Sequence, residues 1–378
     1  MTPSRVPLST MGVCYLTIYQ DWGYSWMRLT ADHRLAILLH EGIRGSNGKT
    51  GLTLLRYSEA PVVAVIDQQC AGESLSQLTG IQCDAPIVDS VVSALAYQPD
   101  VLAIGIAPSG GILPDAWRQE VKQGIAAGLS VINGLHTPMA SDPELQRLLQ
   151  EDQVIWDIRQ EPAGLGVGSG KARSLLCHRV LTVGTDMSVG KMSASLELHR
   201  AAQRQGIRSK FLATGQAGVM IAGDGIPLDA IRVDFAAGAV EQMVMRHGND
   251  YDLLIVEGQG SLLHPGSTAT LPLIRGTQPT GLVLVHRAGQ AHIRHHAHVP
   301  IPSIPEVIQL YETVTRAGGA FAPVPVIAIA LNTGHLDAEA AQQAIEQVRL
   351  ETGLPCTDAV RFGADLLLDA VMNPMEAD

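Results

Sequence analysis

The feature that most constrains the fold is a glycine-rich loop between an apolar segment and a segment suited to a helix. The loop spans residues 184–191, begins Gly-Thr-Asp and ends Gly-Lys. The apolar segment Val180–Val183 precedes it, and the helix-compatible segment Met192–Gln205 follows. In such a strand–loop–helix unit, backbone N–H groups surround a phosphate at the helix N-terminus. The sequence therefore predicts a phosphate-binding loop in a parallel α/β domain.

Two details of this loop narrow its function. Five residues separate Gly184 from Gly190, whereas the usual loop has four, and the longer form resembles the loop of dethiobiotin synthetase and its relatives. Met192 follows Lys191 at the place where a Ser or Thr hydroxyl binds Mg²⁺ in phosphoryl-transfer enzymes. Ser193 comes next, but one residue rotates a helix by about 100°. We expect a loop that holds phosphates but is poorly equipped to hydrolyse them, with Mg²⁺ possible but not essential.

The predicted contacts to a phosphate-bearing cofactor are the residues of this loop and one asparagine at the end of a later strand. They are Gly184, Thr185, Asp186, Ser188, Val189, Gly190, Lys191, Met192, Ser193 and Asn332. Lys191 supplies a charge for a phosphate oxygen. Asn332 follows the apolar segment Val326–Leu331 and resembles the base-recognising asparagine of dethiobiotin-synthetase-like folds; a simple turn residue is the alternative.

Composition and charge favour aliphatic α/β domains that bind small molecules. Hydrophobic residues make up 46% of the 378 residues and aromatic residues only 4%, which is typical of parallel sheets with buried aliphatic strands. The net charge of −11 and the absence of a basic run disfavour nucleic acid and anionic membranes as partners. Five scattered cysteines without a Cys-x-x-Cys pair predict a cytoplasmic protein without structural zinc. We also expect a homo-oligomer.

The chain is expected to contain two doubly wound α/β domains. Apolar strands and helical segments alternate in both halves, which predicts two mostly parallel sheets. A stretch rich in glycine marks a linker between them. The expected boundaries are 1–26 for a disordered extension or a mis-called start, 27–161 for the first domain, 162–174 for the linker and 175–378 for the phosphate-loop domain.

A second signal in the predicted C-terminal domain is an apolar segment that ends in a carboxylate. Leu253–Val256 is followed by Glu257 and then by Gly-Gln-Gly. In phosphate-loop proteins, an acidic residue at the end of a strand lies beside the loop. We therefore expect Glu257 to hold a metal, accept a proton or position an amine. The alternative is a carboxylate that caps the next turn.

The predicted N-terminal domain carries a loop with the same glycine spacing. Residues 42–50 contain a glycine, five further residues and then Gly-Lys-Thr, between an apolar segment and a helical one. Arg44 and Lys49 are expected to bind an anion there, and a carboxylate fits as well as a phosphate. A glycine turn with a helix-capping threonine is the alternative. Gly110 and Gly111 follow a buried strand at its carboxyl end, where doubly wound folds place ligands.

Five histidines are clustered late in the sequence. They are His286, His292, His295, His296 and His298. Their spacing is compatible with a metal site, but the interleaved Arg287 and Arg294 and the lack of a nearby carboxylate or cysteine disfavour a cation. We expect this segment to line or cover a substrate; a solvated loop is the alternative.

Several of these motifs occur together in one known family. Over about residues 30–372, the chain resembles a bacterial and archaeal family long described as a domain of unknown function. The resemblance rests on VGTDMSVGKMS, IVEGQGSLLHP, IAPSGGILP, INGLHT and the HRAGQ–PIPSIPEVI stretch. It implies a Rossmann-like N-terminal domain and a phosphate-loop C-terminal domain, with Gly-Lys-Met-Ser as the family's own loop ending. Some members are D-glutamate N-acetyltransferases that use acetyl-CoA, so the resemblance implies this activity.

The resulting hypothesis is an acetyl-CoA-dependent N-acetyltransferase that acts on D-glutamate. The loop binds the cofactor diphosphate, and Glu257 or His264 takes a proton from the substrate ammonium. Backbone N–H groups of residues 258–261, or of the loop, stabilise the thioester oxyanion. Arg275, Arg287 and Arg44 are expected to bind the substrate carboxylates. The predicted substrate-binding residues are Arg44, Lys49, Gly110, Gly111, Arg275 and Arg287.

Two other functions remain open from the sequence. One is an ATP-dependent ligase or kinase similar to dethiobiotin synthetase, which Met192 disfavours because that chemistry uses a metal-binding hydroxyl. The other is a regulatory protein that binds a nucleotide at the phosphate loop but has no pocket for a second substrate. The chirality of the substrate is not encoded in any sequence pattern.

Overall fold

The structure is a computed structural model that describes residues 29–108 and 112–373, together with the backbone of residues 18–21 and 24–27. Gly110, Gly111 and most of the predicted extension 1–26 lie outside the described residues. Within that extension, strands β1 (Ile18–Asp21) and β2 (Tyr24–Met27) pair antiparallel. The chain divides into two compact units, Met1–Asp157 and Ile158–Asp378.

The first unit is built on a six-stranded parallel sheet. Its strands are β3 (Leu35–Leu38), β4 (Val62–Ile66), β5 (Ile87–Val88), β6 (Val101–Ile104), β7 (Ser130–Asn133) and β8 (Ile155–Asp157). Their order is β5-β4-β3-β6-β7-β8, so the chain reverses its direction of winding between β3 and β6. The helices are α1 (Lys49–Tyr57), α2 (Leu75–Thr79), α3 (Val91–Ala94), α4 (Asp115–Ala126) and α5 (Pro143–Gln146).

The second unit is also built on a six-stranded parallel sheet, with the order β10-β11-β9-β12-β15-β16. Its strands are β9 (His178–Gly184), β10 (Ser209–Leu212), β11 (Leu253–Val256), β12 (Gly281–Arg287), β15 (Val326–Asn332) and β16 (Cys356–Thr357). A separate antiparallel hairpin consists of β13 (His292–Ile293) and β14 (His296–Pro300). The helices are α6 (Lys191–Arg204), α7 (Gln216–Ala222), α8 (Val233–His247), α9 (Thr270–Thr277), α10 (Ile304–Arg316), α11 (Ala338–Thr352) and α12 (Asp365–Met372).

Helices cover both faces of the second sheet. Because side chains alternate between the faces of a strand, Leu254 and Val256 of β11 pack in the core that includes α8, α9 and α10. Leu253 and Ile255 pack in the opposite core with α6 and α12. A strand buried on both faces must be apolar at every position, which explains the continuous apolar segments of the sequence. The two parallel sheets confirm the predicted fold class.

The glycine-rich segment before β9 packs against α8 within the second unit. Glu241 of α8 is buried and accepts hydrogen bonds from the Ser169 N–H at 2.7 Å, the Ser169 hydroxyl at 3.0 Å and the Lys171 N–H. These donors compensate the carboxylate for its loss of hydration. Across the part of the chain that the structure describes, no helix is both long and apolar enough to cross a membrane.

Candidate functional site

The predicted phosphate loop joins β9 to α6 at the carboxyl edge of the second sheet. Gly190 precedes the helix with φ of +117°, a conformation that glycine adopts readily. The backbone N–H groups of Val189, Gly190 and Met192 have no hydrogen-bond acceptor among the described residues. Unpaired N–H groups at a helix N-terminus attract an anion, both as donors and through the helix dipole.

Lys191 is the first residue of α6, and its side chain is buried within the loop. The Nζ atom donates to the carbonyl oxygen of Asp186 at 2.7 Å. The alkyl chain passes Gly258, where an added Cβ would lie 3.0 Å from Lys191 Cδ and 1.7 Å from the carbonyl oxygen of Thr182. A side chain at position 258 would therefore collide with β9 and displace Lys191. This explains why glycine follows Glu257.

Asp186 joins the phosphate loop to the β13–β14 hairpin. Its carboxylate is fully buried and accepts three N–H groups: that of Met187 at 2.6 Å, Gln290 Nε2 at 2.7 Å and the backbone N–H of Arg294 at 2.7 Å. All three donors bind the charged form of the carboxylate. Asp186, predicted to contact the cofactor, thus shapes the loop through its neighbours instead of offering a free side chain.

Tyr311 of α10 holds the beginning of the loop. Its buried hydroxyl donates to the carbonyl oxygen of Gly184 at 2.8 Å and accepts the N–H of Leu262 at 3.4 Å. Burial raises the pKa of the Tyr311 phenol, so the donated proton is retained at neutral pH. Sequence reasoning missed this residue, because no local pattern links a helix tyrosine to a loop 127 positions earlier.

Thr185 and His286 form a buried pair behind the loop. Thr185 Oγ1 lies 2.9 Å from His286 Nδ1, and both side chains are inaccessible to solvent or nearly so. Burial lowers the pKa of His286 to about 4, so this imidazole is neutral at pH 7. A neutral, buried imidazole supports the position of Thr185 and adds no charge to the site.

Asn332 lies at the same edge, at the end of β15. Its Nδ2 donates to the carbonyl oxygen of Val189 at 2.9 Å, and its Oδ1 accepts the N–H of Gly334 at 3.1 Å. In the sheet register, Arg287 is the neighbour of Asn332. The asparagine therefore supports the phosphate loop directly. Contact with a nucleotide base stays a prediction.

The position after Lys191 provides no oxygen ligand for a metal. The Met192 side chain is buried, and Ser193 is half-buried on the following step of the helix. In the ranges that the structure describes, no group of three or more histidine, cysteine or acidic side chains has an arrangement that could hold a metal ion.

Glu257 lies beside the loop, at the end of β11, as predicted from the strand ending in a carboxylate. The side chain is only 2% exposed. Its Oε2 accepts the N–H groups of Thr214 at 2.9 Å and Gly215 at 3.2 Å, whereas Oε1 accepts Gln259 Nε2 at 2.9 Å. Backbone donors hold Oε2 in place, but the side chain of Gln259 can rotate away from Oε1. Oε1 is therefore the atom on which an incoming ammonium can replace a donor.

His264 is positioned as a hydrogen-bond donor. Its Nδ1 accepts the N–H of Gly266 at 3.0 Å. A neutral imidazole that accepts at one nitrogen carries its proton on the other, so this bond assigns the proton of His264 to Nε2. A nitrogen that carries a proton cannot accept another. In this tautomer the other nitrogen of His264 is a donor, and a role of His264 as the proton acceptor stays a prediction.

The turn at residues 258–261 offers fewer oxyanion donors than predicted. The Gly258 N–H donates to Thr182 Oγ1 at 2.9 Å, and the Ser261 N–H donates to Ser267 Oγ at 3.0 Å. Two of the four N–H groups are thus already engaged in fixing the turn. The N–H groups of Gln259 and Gly260 have no acceptor among the described residues.

The structure places Arg287 and Arg275 at opposite edges of the sheet. Arg287 is the exposed last residue of β12, on the same edge as the phosphate loop. Arg275 lies near the end of α9, which returns the chain to the start of β12. Its guanidinium carbon is 5.2 Å from the ring centre of Phe321, a cation–π distance. Arg275 therefore lies at the amino edge, because α9 leads the chain there, and binding of a substrate by Arg275 stays a prediction.

Close packing of the backbone explains the glycines in the loop of the first unit. A Cβ added to Gly48 would lie 2.2 Å from the carbonyl oxygen of Gly42, so the two backbone segments touch where side chains cannot fit. Arg44 is paired with Glu73 at 2.6 Å, and a carboxylate ligand would have to displace that partner. Lys49 begins α1. Binding of an anion by Arg44 and Lys49 stays a prediction.

Together, the fold and the loop define a two-unit α/β protein with a phosphate-binding loop in its second unit. Residues 166–368 match the model of a P-loop domain of unknown function, DUF1611, and residues 68–161 match the Rossmann-like N-terminal domain of that family. The chain belongs to the DUF1611 family.

Named relatives agree with this assignment. The chain is 34% identical over 281 residues to a D-glutamate N-acetyltransferase of Pseudoalteromonas sp, and 36% identical over 280 residues to one of Tritonibacter scottomollicae. Each match covers 74% of this chain and 83% of the relative. A crystal structure of a DUF1611 family protein from Anabaena variabilis is 68% identical, with a TM-score of 0.88 over 90% of this chain and 100% of that chain. The predicted family and fold are confirmed.

Proposed function

We propose that this chain transfers the acetyl group of acetyl-CoA to the amino group of D-glutamate. The names of its two curated relatives support this reaction. The observation that carries the proposal in this chain is the phosphate loop itself. The unpaired N–H groups of Val189, Gly190 and Met192 lie beside the Lys191 ammonium, an arrangement suited to the diphosphate of coenzyme A.

The lack of a metal-binding hydroxyl after Lys191 is also compatible with acetyl transfer. Phosphoryl transfer uses a loop hydroxyl to hold Mg²⁺ between phosphates, and Met192 occupies that position with a buried thioether side chain. A diphosphate that is only held, and not cleaved, needs the N–H donors and the lysine but no metal between its phosphates. The loop therefore suits an acyl donor better than a phosphoryl donor.

Glu257 is the proposed proton acceptor. The substrate ammonium must lose a proton before its nitrogen can attack the thioester carbon. A C–N bond then forms, the C–S bond breaks, the sulfur takes the second proton from nitrogen, and one proton per turnover reaches solvent. The ammonium is proposed to replace Gln259 on Glu257 Oε1, while the backbone N–H groups of Thr214 and Gly215 keep Oε2 fixed.

Calorimetric titration of the full chain tests the choice of co-substrate. We expect acetyl-CoA and CoA to bind more tightly than ATP with Mg²⁺, because Met192 removes the metal-binding hydroxyl. S-acetylpantetheine, which keeps the thioester but lacks the diphosphate and the adenosine, should bind more weakly than acetyl-CoA, and S-acetyl-4′-phosphopantetheine, which keeps one of the two phosphates, should bind with an intermediate affinity. Tight, Mg²⁺-dependent ATP binding with turnover would instead support an ATP-dependent ligase or kinase.

A further inference from the structure

The segment that leads from the end of β12 into the β13–β14 hairpin carries two arginines and no acidic residue. From Arg287 to Val299, the sequence contains two arginines and four histidines but no acidic residue, although acidic residues outnumber lysines and arginines by 37 to 26 in the whole chain. Among the residues that the structure describes, neither Arg287 nor Arg294 has a carboxylate partner. Such a local surface in an acidic protein attracts anionic ligands.

The turn of this hairpin is fixed to the loop. Ile293 pairs with His296, so Arg294 and His295 form a two-residue turn, and the buried Ile293 anchors it. The backbone N–H of Arg294 donates to Asp186 at 2.7 Å, and Gln290 Nε2 donates to the same carboxylate oxygen. Because Asp186 binds the backbone of Arg294, the arginine side chain is left to contact a ligand.

Three imidazole rings connect the hairpin to the turn after β11. The ring centre of His264 lies 5.2 Å from that of His296, which lies 5.9 Å from that of His298, and both contacts are edge-to-face. His264 is buried, His296 is half-buried and His298 is exposed. The Nε2–H of His264 has no acceptor within the described part of the chain. This N–H is therefore able to donate to a ligand oxygen.

We infer that His264 and the turn of the hairpin form the subsite for the side-chain carboxylate of an acidic amino-acid acceptor. The guanidinium of Arg294 supplies the planar pair of N–H donors that a carboxylate binds, and His264 Nε2–H adds a third donor. Asp186 is the positioning residue, because it holds the turn against the phosphate loop. This inference rests on the proposed acetyl transfer.

Another anion, the 3′-phosphate of coenzyme A, is disfavoured by the position of the turn. The turn is bound to Asp186, the third residue of the loop, whose carbonyl oxygen holds Lys191 Nζ. The residue predicted to recognise the adenine base, Asn332, binds instead near the end of the loop, at Val189. The hairpin turn and the predicted adenosine side therefore contact different parts of the loop.

The test compares two acceptors of nearly the same size and shape, D-glutamate, whose side chain ends in a carboxylate, and D-glutamine, whose side chain ends in a neutral amide. In Arg294→Gln, we expect the ratio of kcat/KM for D-glutamate over D-glutamine to fall about ten- to a hundredfold, mainly through KM, because one charge-assisted contact is lost. Arg316→Gln is the matched control, since this exposed arginine pairs with Glu312 on its own helix. It should leave the ratio unchanged.

Two substitutions of His264 distinguish a role as a hydrogen-bond donor from a role as a proton acceptor. The amide of glutamine places an N–H near the position of Nε2, whereas the amide of asparagine lies near Nδ1. His264→Gln should therefore retain more of the preference for D-glutamate than His264→Asn. Equal loss of kcat in both variants would instead identify His264 as a proton acceptor and overturn its role in the subsite.

Three further outcomes would overturn the inference. The first is an unchanged acceptor preference in a folded Arg294→Gln protein, with folding checked by circular dichroism. The second is a lost preference for acetyl-CoA over its 3′-dephospho form, which would assign the turn to the cofactor. The third is a wild-type protein that acetylates no amino acid, in which case the proposed function fails as well.

If Arg294→Gln does not fold, Arg294→Lys is the second variant. It keeps the charge but loses the planar donor pair, so it must still lower the ratio of kcat/KM for D-glutamate over D-glutamine.

Discussion

Glu257→Gln is expected to lower turnover about 10²–10⁴-fold while leaving the affinity for acetyl-CoA nearly unchanged. The amide preserves the size of the side chain, and its oxygen can still accept the N–H groups of Thr214 and Gly215. It cannot take a proton from the substrate ammonium. Steady-state release of the CoA thiol measures turnover, and calorimetry on the same protein measures affinity.

Glu241→Gln is the matched control for this variant. Glu241 is another buried carboxylate of the second unit that accepts backbone N–H groups, but it binds the segment before β9 and not the loop. We expect it to lower stability without a comparable loss of turnover. If Glu257→Gln weakens acetyl-CoA binding and turns over normally at saturation, Glu257 is a binding residue and the proton acceptor must be sought elsewhere.

Lys191→Ala is expected to weaken acetyl-CoA binding roughly ten- to a hundredfold. A hydrogen bond to a charged group contributes about 1.5–3 kcal/mol, and the lysine is the charge that the loop offers to a diphosphate. The Nζ atom is already held at the loop by the carbonyl oxygen of Asp186, so little ordering is needed for it to reach a phosphate. Calorimetry with acetyl-CoA measures the change.

Lys171→Ala provides the comparison for the lysine. Lys171 is exposed and lies before β9, so its removal changes the net charge by the same amount without touching the loop. Its effect on acetyl-CoA affinity should be small. Equal affinities in the wild type and a folded Lys191→Ala protein would show that this loop does not bind the diphosphate.

Much of the fold was predictable because buried parallel strands have a local signature. Leu253–Val256 was predicted as a strand from its continuous apolar sequence, and β11 has the same bounds. Helix α8 was not predicted, and it contains a glycine at position 238 that is unfavourable within a helix. The reason for Gly238 is tertiary: a Cβ there would lie 1.9 Å from the carbonyl oxygen of Gly166. No local pattern contains that contact.

The candidate site likewise has features that the sequence predicts and features that arise only on folding. The phosphate loop could be predicted because strand, glycines, lysine and helix are contiguous in the sequence. The bonds from Asp186 to the Arg294 N–H and from Tyr311 to Gly184 span 108 and 127 positions and arise only from the folded chain. Arg275 shows that closeness in sequence does not give closeness in the fold. It follows the predicted site closely in sequence, but one helix is enough to carry it to the other edge of the sheet.

Product analysis is the direct test of acetyl transfer to D-glutamate. The purified full chain is incubated with acetyl-CoA and D-glutamate, and both the released CoA thiol and the N-acetylated product are quantified, the latter by mass spectrometry. L-glutamate and a reaction without amino acid serve as controls. We expect one N-acetyl-D-glutamate for each CoA released. ATP consumption with Mg²⁺ and no acetylated product, or CoA release that does not depend on an amino acid, would contradict it.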